Sequence, residues 1–249
     1  MRRGAVVAAS VASGAATSVV SAAAPSVATA SRRLARDAAA VDCGTMTFYQ
    51  ERIIPWLIHL SMRQRMLAPY RDRVVSSARG RVLEVGIGSG LNLPFYASAA
   101  TEIIGLDPSP KLLEIANKPA RKTPIPLRLV EGTAEAIPIE DHNVDAVVTT
   151  WTMCSIPEIQ SALQEMRRVL RPGGRLFFVE HGRATEPRVR WWQDHLTPAW
   201  KHLSGGCHLN RAIDELVENA GFRIERLDKG YMRGPKPMTF TYEGSAHPQ

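Results

Sequence analysis

Val82-Leu83-Glu84-Val85-Gly86-Ile87-Gly88-Ser89-Gly90 is an apolar run with one embedded acid that passes directly into three glycines at alternating positions. Such a run is the pattern of a strand buried on both faces of a parallel sheet, and glycines immediately after it let the backbone turn sharply and approach a ligand closely. A second short run, Glu102-Ile103-Ile104-Gly105-Leu106, ends on Asp107, with Pro108 next. An acid at the tip of the second strand, about twenty residues after the glycine turn, is placed to accept hydrogen bonds from ribose hydroxyls. The pattern predicts a nucleotide-like cofactor held by Glu84, Gly86, Gly88, Gly90, Asp107 and Pro108.

The glycine spacing separates two classes of cofactor. A dinucleotide fingerprint, G-x-G-x-x-G, holds a pyrophosphate on backbone amides and a helix N-terminus. Here the third glycine comes one residue early, as Gly86-x-Gly88-x-Gly90. With Glu84 just upstream, the segment resembles motif I of the class I S-adenosylmethionine (SAM) methyltransferases. SAM has no phosphate but carries a sulfonium and an α-amino group, so a carboxylate serves it better than an anion nest.

Three later segments extend the resemblance. Gly132 to Pro138 resembles the loop after the third strand that cups the adenine, through Ala134 and Glu135. Thr133 stands where many relatives carry an acid, which leaves the adenine amino group to Glu135, to a backbone carbonyl or to no partner. Val144 to Thr150 resembles the fourth strand, whose carboxyl end at Thr150 faces the methyl group. Met166 to Glu180 resembles the helix, Pro-Gly-Gly turn and fifth strand of the same superfamily. The implied fold is α/β: a doubly wound, mainly parallel seven-stranded, Rossmann-like sheet with helices on both faces, its antiparallel last strand near Met238 to Glu243. The implied reaction is an in-line displacement in which an acceptor atom attacks the sulfonium methyl and S-adenosylhomocysteine leaves. A nicotinamide-dependent oxidoreductase would share the strand-turn-acid logic, but the glycine spacing and the later motifs oppose it.

Composition fits one such domain. With 249 residues and 45% hydrophobic content, the chain is long enough to bury a substantial core. Cys43, Cys154 and Cys207 are an odd number with no C-x-x-C pair, which argues against a disulfide framework and a zinc site, so no metal is expected. A reducing, cytoplasmic setting follows as the default. The net charge of +7 owes much to Arg2, Arg3, Arg32, Arg33 and Arg36, and no basic stripe with interleaved aromatics points to nucleic acid.

Residues 1–45 are a different material from the 46–249 methyltransferase domain. They are rich in Ala, Ser and Val, with no acid before Asp37. They read as an organellar transit peptide, as a weak secretory signal, or as a disordered extension ahead of a start at Met46. A targeting role would move the protein to an organelle or a membrane periphery. From Phe48 onward Ile53, Ile54, Leu57, Ile58, Met62 and Met66 fall at helical spacing, with Pro55 dividing or kinking the segment. One reading is a lid over the cofactor pocket that buries an ordinary apolar face; the other is peripheral contact of Trp56 and its neighbours with a membrane.

After the fifth strand an insertion from about Gly182 to Gly206 precedes a helix near Arg211 to Ala220 and a strand at Arg223 to Leu227. Trp192, Gln193, Leu196, Pro198, Ala199, Trp200, Leu203, Gly206, Cys207, Leu209 and Arg211, together with Cys154-Ser155-Ile156 and Glu180-His181, resemble the methyltransferase-like group that includes the membrane-associated alkyl thiol methyltransferases. That resemblance spans about Gly80 to Phe222, and the chain also resembles the quinone-biosynthesis C-methyltransferases. It implies a small-molecule acceptor, a thiol or alternatively a lipid-like quinone precursor or phospholipid headgroup; a non-catalytic SAM-binding protein would carry the same cofactor motifs. His181, at the end of the fifth strand, is the candidate general base or substrate-shaping group. Cys154 is a candidate substrate contact or a packed hydrophobe. Trp192 and Trp200 offer cation–π faces or core packing, and Cys207-His208, being sequence neighbours, are expected to point apart.

Overall fold

The computed structural model describes residues 54–249. The readings made of residues 1–45, and those of Phe48 and Ile53, lie outside the described residues. Seven strands form one sheet in the order β3-β2-β1-β4-β5-β7-β6. Five of them are parallel: β1 (Gly80–Val85), β2 (Ala100–Asp107), β3 (Leu127–Glu131), β4 (Val144–Thr150) and β5 (Leu170–His181). Between β5 and β6 (Phe222–Tyr231) lies β7 (Phe240–Pro248), antiparallel to both. The implied doubly wound, seven-stranded architecture is the one observed. Its last strand starts at Phe240 because Lys236–Thr239 forms a short helix first.

Helices cover the sheet. In chain order they are α1 (Ile54–Met62), α2 (Ala68–Val75), α3 (Pro110–Ala120), α4 (Ile159–Val169), α5 (Pro187–Leu203), α6 (Ile213–Asn219) and α7 (Lys236–Thr239). On α4 the buried residues Ile159, Ala162, Leu163, Met166 and Val169 repeat at three- and four-residue steps, so one stripe faces the sheet. On α3 the Ser109 hydroxyl accepts from the Leu112 N–H and Pro110 occupies the first turn, which fixes where the helix begins. Two apolar layers result, one centred on Leu83, Val147, Leu163 and Phe178, the other on Val82, Ile103, Val148 and Val75. Alternate residues of β1 and β4 serve opposite layers, as a sheet buried on both faces requires.

The chain order reverses between β1 and β4, since β2 and β3 lie to one side of β1 and β4 and β5 to the other. Ligands bind open α/β sheets at the carboxyl ends of strands flanking such a point. Pro55 is the second described residue of α1, so the part of its reading that concerns the residues before it lies outside the described ones; beyond Pro55 the segment breaks at a short 3-10 turn over Arg65–Leu67.

Candidate active site

The glycine turn leaves β1 with Gly86 and Gly88 at φ of 73° and 56°. These are left-handed conformations that cost most residues about 1–2 kcal/mol. A Cβ at Gly86 would also strike the Thr152 side chain at 2.4 Å. At Gly88 the situation differs: a Cβ would meet nothing nearer than the Gly86 carbonyl oxygen at 3.9 Å, so the turn faces open space. Asp107 at the tip of β2 ties the turn down. One carboxylate oxygen accepts from the Gly88 N–H and the other from the Ser109 N–H, each at 2.9 Å. Burial raises the Asp107 pKa, and these two backbone donors counter part of the rise. Every carboxylate oxygen retains a further lone pair for a ligand hydroxyl.

Glu84 lies one layer deeper. It is 1% exposed, and its oxygens accept from the Asn92 amide at 2.9 Å and the Tyr96 hydroxyl at 2.7 Å. Asn92 also donates to the Thr150 hydroxyl at 2.9 Å and accepts from Arg71 Nε at 2.9 Å. The Arg71 guanidinium is buried over the Trp151 ring, 5.0 Å from its centroid. Burial pushes the Glu84 pKa up to about 7, with Tyr96, Asn92 and Arg71 opposing. Glu84 and Thr150 are thus joined through Asn92 in one buried network beneath the turn. At the turn's outer side, His59 Nδ1 of α1 lies 2.7 Å from the Ser89 hydroxyl.

At the carboxyl ends of β4 and β5, the backbone after β4 wraps around a second buried acid. Glu180, fully buried, accepts from the Thr152 N–H at 3.0 Å and the Cys154 N–H at 3.4 Å. Burial raises its pKa to about 7. Trp151 enters this wrap at φ 53°, an unusual conformation for a bulky residue. Cys154 and Cys207 are buried with Leu209, and Leu196, Trp200 and Met238 pack on them. His181 Nδ1 lies 3.9 Å from Cys207 Sγ.

Residues 83–178 match the model of a methyltransferase domain family. A thiol S-methyltransferase of Homo sapiens is 33% identical over 184 residues, 72% of this chain and 72% of its own. The chain belongs to the SAM-dependent methyltransferases. A ubiquinone/menaquinone biosynthesis C-methyltransferase of Syntrophotalea carbinolica is 28% identical over 184 residues, 66% of this chain and 77% of its own. A Thermotoga maritima SAM-dependent methyltransferase, described as a possible histamine N-methyltransferase, superposes with a TM-score of 0.57 at 21% identity, covering 82% of this chain and 98% of that one. SAM is the cofactor, and the acceptor is a small molecule. The open face of Gly88, the left-handed turn and the buried carboxylates around it fit a cationic nucleoside ligand.

Within the methyltransferase the predicted residues fall into two groups. Gly86, Gly88, Gly90 and Asp107 form the turn itself, and Pro108, which follows the acid, is exposed. Glu84 and Thr150 sit behind it. In the loop after β3, Ala134 is buried, and the Glu135 carboxylate accepts from the Glu158 N–H at 3.4 Å, pinning its loop to the start of α4. Cys154 and His181 come together, and the structure adds Cys207 to them. The absence of a C-x-x-C pair concerns neighbours in sequence alone; here the ligand-type atoms arrive from three separate segments. Cys207 and His208 do point apart, His208 turning to the Cys154 carbonyl at 3.2 Å. Trp192 is 53% exposed, whereas Trp200 packs against the cysteines. Arg71, Asn92 and Tyr96 were missed: single polar residues on a helix and a loop carry no motif, and a buried acid in β1 was the one signal that partners must exist.

Proposed function

We propose that the methyltransferase acts on the sulfur of a small alkyl thiol. The observation that carries this reading is the character of the acceptor side: two cysteines, one imidazole and the apolar side chains of Leu196, Trp200 and Met238. Glu180, the acid at that side, is fully buried and committed to the backbone after β4, so it is not free to receive a charged amine. The similarity to a thiol S-methyltransferase supports the same choice.

Bound SAM supplies a methyl group already activated on a sulfonium. The protein's share is placement, exclusion of water and proton removal. Asp107 holds the Gly88 amide, and so the turn, at a fixed distance from β2. Glu180 holds the backbone of Thr152 and Cys154, and so the wall against which the acceptor rests. His181, Cys154 and Cys207 are the titratable groups close to where the thiol proton must be lost. The test is S-adenosylhomocysteine release by the full chain with alkyl thiols, amines, phenols, quinone precursors and phospholipids offered in parallel. Release with thiols alone is expected; release with quinone precursors or phospholipids and none with thiols overturns the assignment.

A peripheral membrane contact is a second part of the proposal, favoured by one observation. On α1, Trp56 and Leu60 are 58% and 52% exposed, beside Leu57 and ahead of Arg63 and Arg65. Pro55, Ile58, His59 and Met62 take the covered side of this helix, with Met62 packed on the core, so Trp56, Leu57 and Leu60 are a second apolar side left outward. None of the described helices is long and apolar enough to cross a membrane. Flotation with anionic vesicles is expected for the full chain and is expected to be lost in Trp56→Ser/Leu60→Ser.

A further inference from the structure

Cys154, His181 and Cys207 come from the turn after β4, the end of β5 and the loop after α5. One donor atom from each, two sulfurs and a ring nitrogen, lies within 4.8 Å of the others. The backbone sets this meeting. The His208 N–H donates to the Cys154 carbonyl at 2.8 Å, and the Arg211 guanidinium donates to the Met153 carbonyl. Gly206, at φ 95°, brings the chain so close that a Cβ there would stand 3.1 Å from the Ser155 carbonyl oxygen. Two loops far apart in sequence are thus stitched together at the two cysteines.

We propose that Cys154, Cys207 and His181 are a metal site for zinc, with the fourth position taken by the sulfur of the thiol acceptor. Two thiolates and an imidazole are a donor set that selects zinc and other thiophilic ions, and three protein ligands with one place left for substrate are the pattern of catalytic rather than structural zinc. Tetrahedral zinc with bonds of about 2.3 Å to sulfur and about 2.0–2.1 Å to nitrogen separates sulfur from nitrogen by about 3.6 Å. Cys207 Sγ and His181 Nδ1 are 3.9 Å apart, within a few tenths of that distance. The surroundings suit a thiolate centre. Leu196, Trp200 and Met238 pack against it, and the buried Trp200 indole N–H, which has no other partner, is directed at the Cys207 sulfur. A donor directed at a sulfur is the outer support that a metal-bound thiolate uses.

The site also lies close to the glycine turn. Thr152, the residue a Cβ at Gly86 would strike, is two positions before Cys154. The chemistry rests on the thiol reading above. The acceptor R–SH binds zinc through sulfur and its proton passes to water, because a coordinating thiol deprotonates outright. The thiolate lone pair then forms the new carbon–sulfur bond to the methyl group. The bond from that carbon to the sulfonium breaks, and its electron pair stays on the sulfur of S-adenosylhomocysteine. The product is a neutral thioether, a poorer ligand than the thiolate, and it leaves.

The test uses the full chain, reduced, stripped with a chelator and titrated anaerobically with Co²⁺. One equivalent is expected, with sulfur-to-cobalt charge transfer and the strong visible bands of a tetrahedral site, displaced by Zn²⁺. Cys154→Ser and Cys207→Ser are expected to lose the bands. His181→Gln, at a half-buried position that tolerates change, is expected to weaken Co²⁺ binding by about tenfold or more. Retained SAM binding shows that each variant is folded. Adding ethanethiol is expected to shift the visible bands. No band in reduced protein, a band that survives both cysteine changes, or a Cys154–Cys207 disulfide forming in place of metal uptake overturns the site. Full thiol turnover by metal-free protein overturns it too and leaves the thiol reading standing. Zinc bound as described, with turnover on amines or quinone precursors alone, sinks the thiol reading and leaves the metal site in place.

Discussion

Glu84 and Glu180 are buried carboxyls whose pKa values are each raised to about 7, in both cases chiefly by burial. A raised carboxyl pKa means that the folded state binds a proton more tightly than the unfolded chain does. The stability slope with pH is therefore negative between the ordinary value of 4.5 and about 7. Each group costs about 1.4 kcal/mol per pH unit while it is protonated in the fold and ionised in the unfolded chain. Thermal unfolding is expected to occur at falling temperature as pH rises across that window. Glu84→Gln keeps an acceptor for Tyr96 or Asn92 and removes one titration, so its melting curve is expected to depend less on pH than the parent's. An equal slope in the variant would show that Glu84 is ionised in the fold throughout. The acid in Val82 to Gly90 was legible as chemistry, but its partners were not. Asn92 and Tyr96 reach it from a 3-10 turn, and Arg71 reaches Asn92 from α2, a helix whose sequence position says nothing about which strand it covers.

At the scale of the element, the glycine turn makes two positions separable that look alike in sequence. Gly86 and Gly88 both have positive φ, but Gly86 is closed in by Thr152 and Gly88 is open. Gly86→Ala is expected to lower stability by more than the 1–2 kcal/mol of backbone strain, because the Thr152 side chain must also move. Gly88→Ala carries the strain alone, about 1–2 kcal/mol, yet places a methyl group on the open face proposed for the cofactor. Paired melting and SAM titration should show Gly86→Ala losing both properties and Gly88→Ala losing affinity out of proportion to stability. Parallel losses would mean that the open face of Gly88 is not the SAM face. The strands themselves were readable because burial on both faces leaves continuous apolar runs bounded by Gly, Asp and Pro. α5 was less so: Pro198 stands in the middle of a seventeen-residue helix and interrupts the pattern from which a helix is read. That helix carries Gln193, which accepts from the Ala184 N–H and donates to the Gly182 and Pro237 carbonyls, and Trp200, which reaches the cysteines. Leu196 and Trp200 pack on the cysteines from it, and the sequence named these residues through a family resemblance without showing that they share one helix.

At the scale of the whole molecule, one carboxylate links the first helices to the last strands. Glu243 of β7, 4% exposed, accepts from Arg73 of α2 at 2.7 Å and from Arg226 of β6 at 2.6 Å. Arg73 and Arg226 are 47% and 52% exposed, so each guanidinium can return to water if the acid is removed. That exposure decides the size of the effect. Removing one member of a fully buried pair costs about 3–5 kcal/mol, because a charge is stranded, whereas Glu243→Gln strands none. Arg73 donates through both Nε and Nη2 and Arg226 through Nη2, so the loss should approach that of three donors to a charged group, at about 1.5–3 kcal/mol apiece discounted by roughly half for solvent screening. Arg73→Ala leaves Glu243 its bond to Arg226, and Arg226→Ala leaves it the bond to Arg73, so either single change is expected to be mild. Changing both leaves the buried carboxylate without a cation, and the loss is expected to exceed the sum of the single effects. Denaturant unfolding of the four proteins in that cycle measures the excess directly. Strict additivity would mean that the two arginines act independently and that β7 is held in the sheet by its ladders alone.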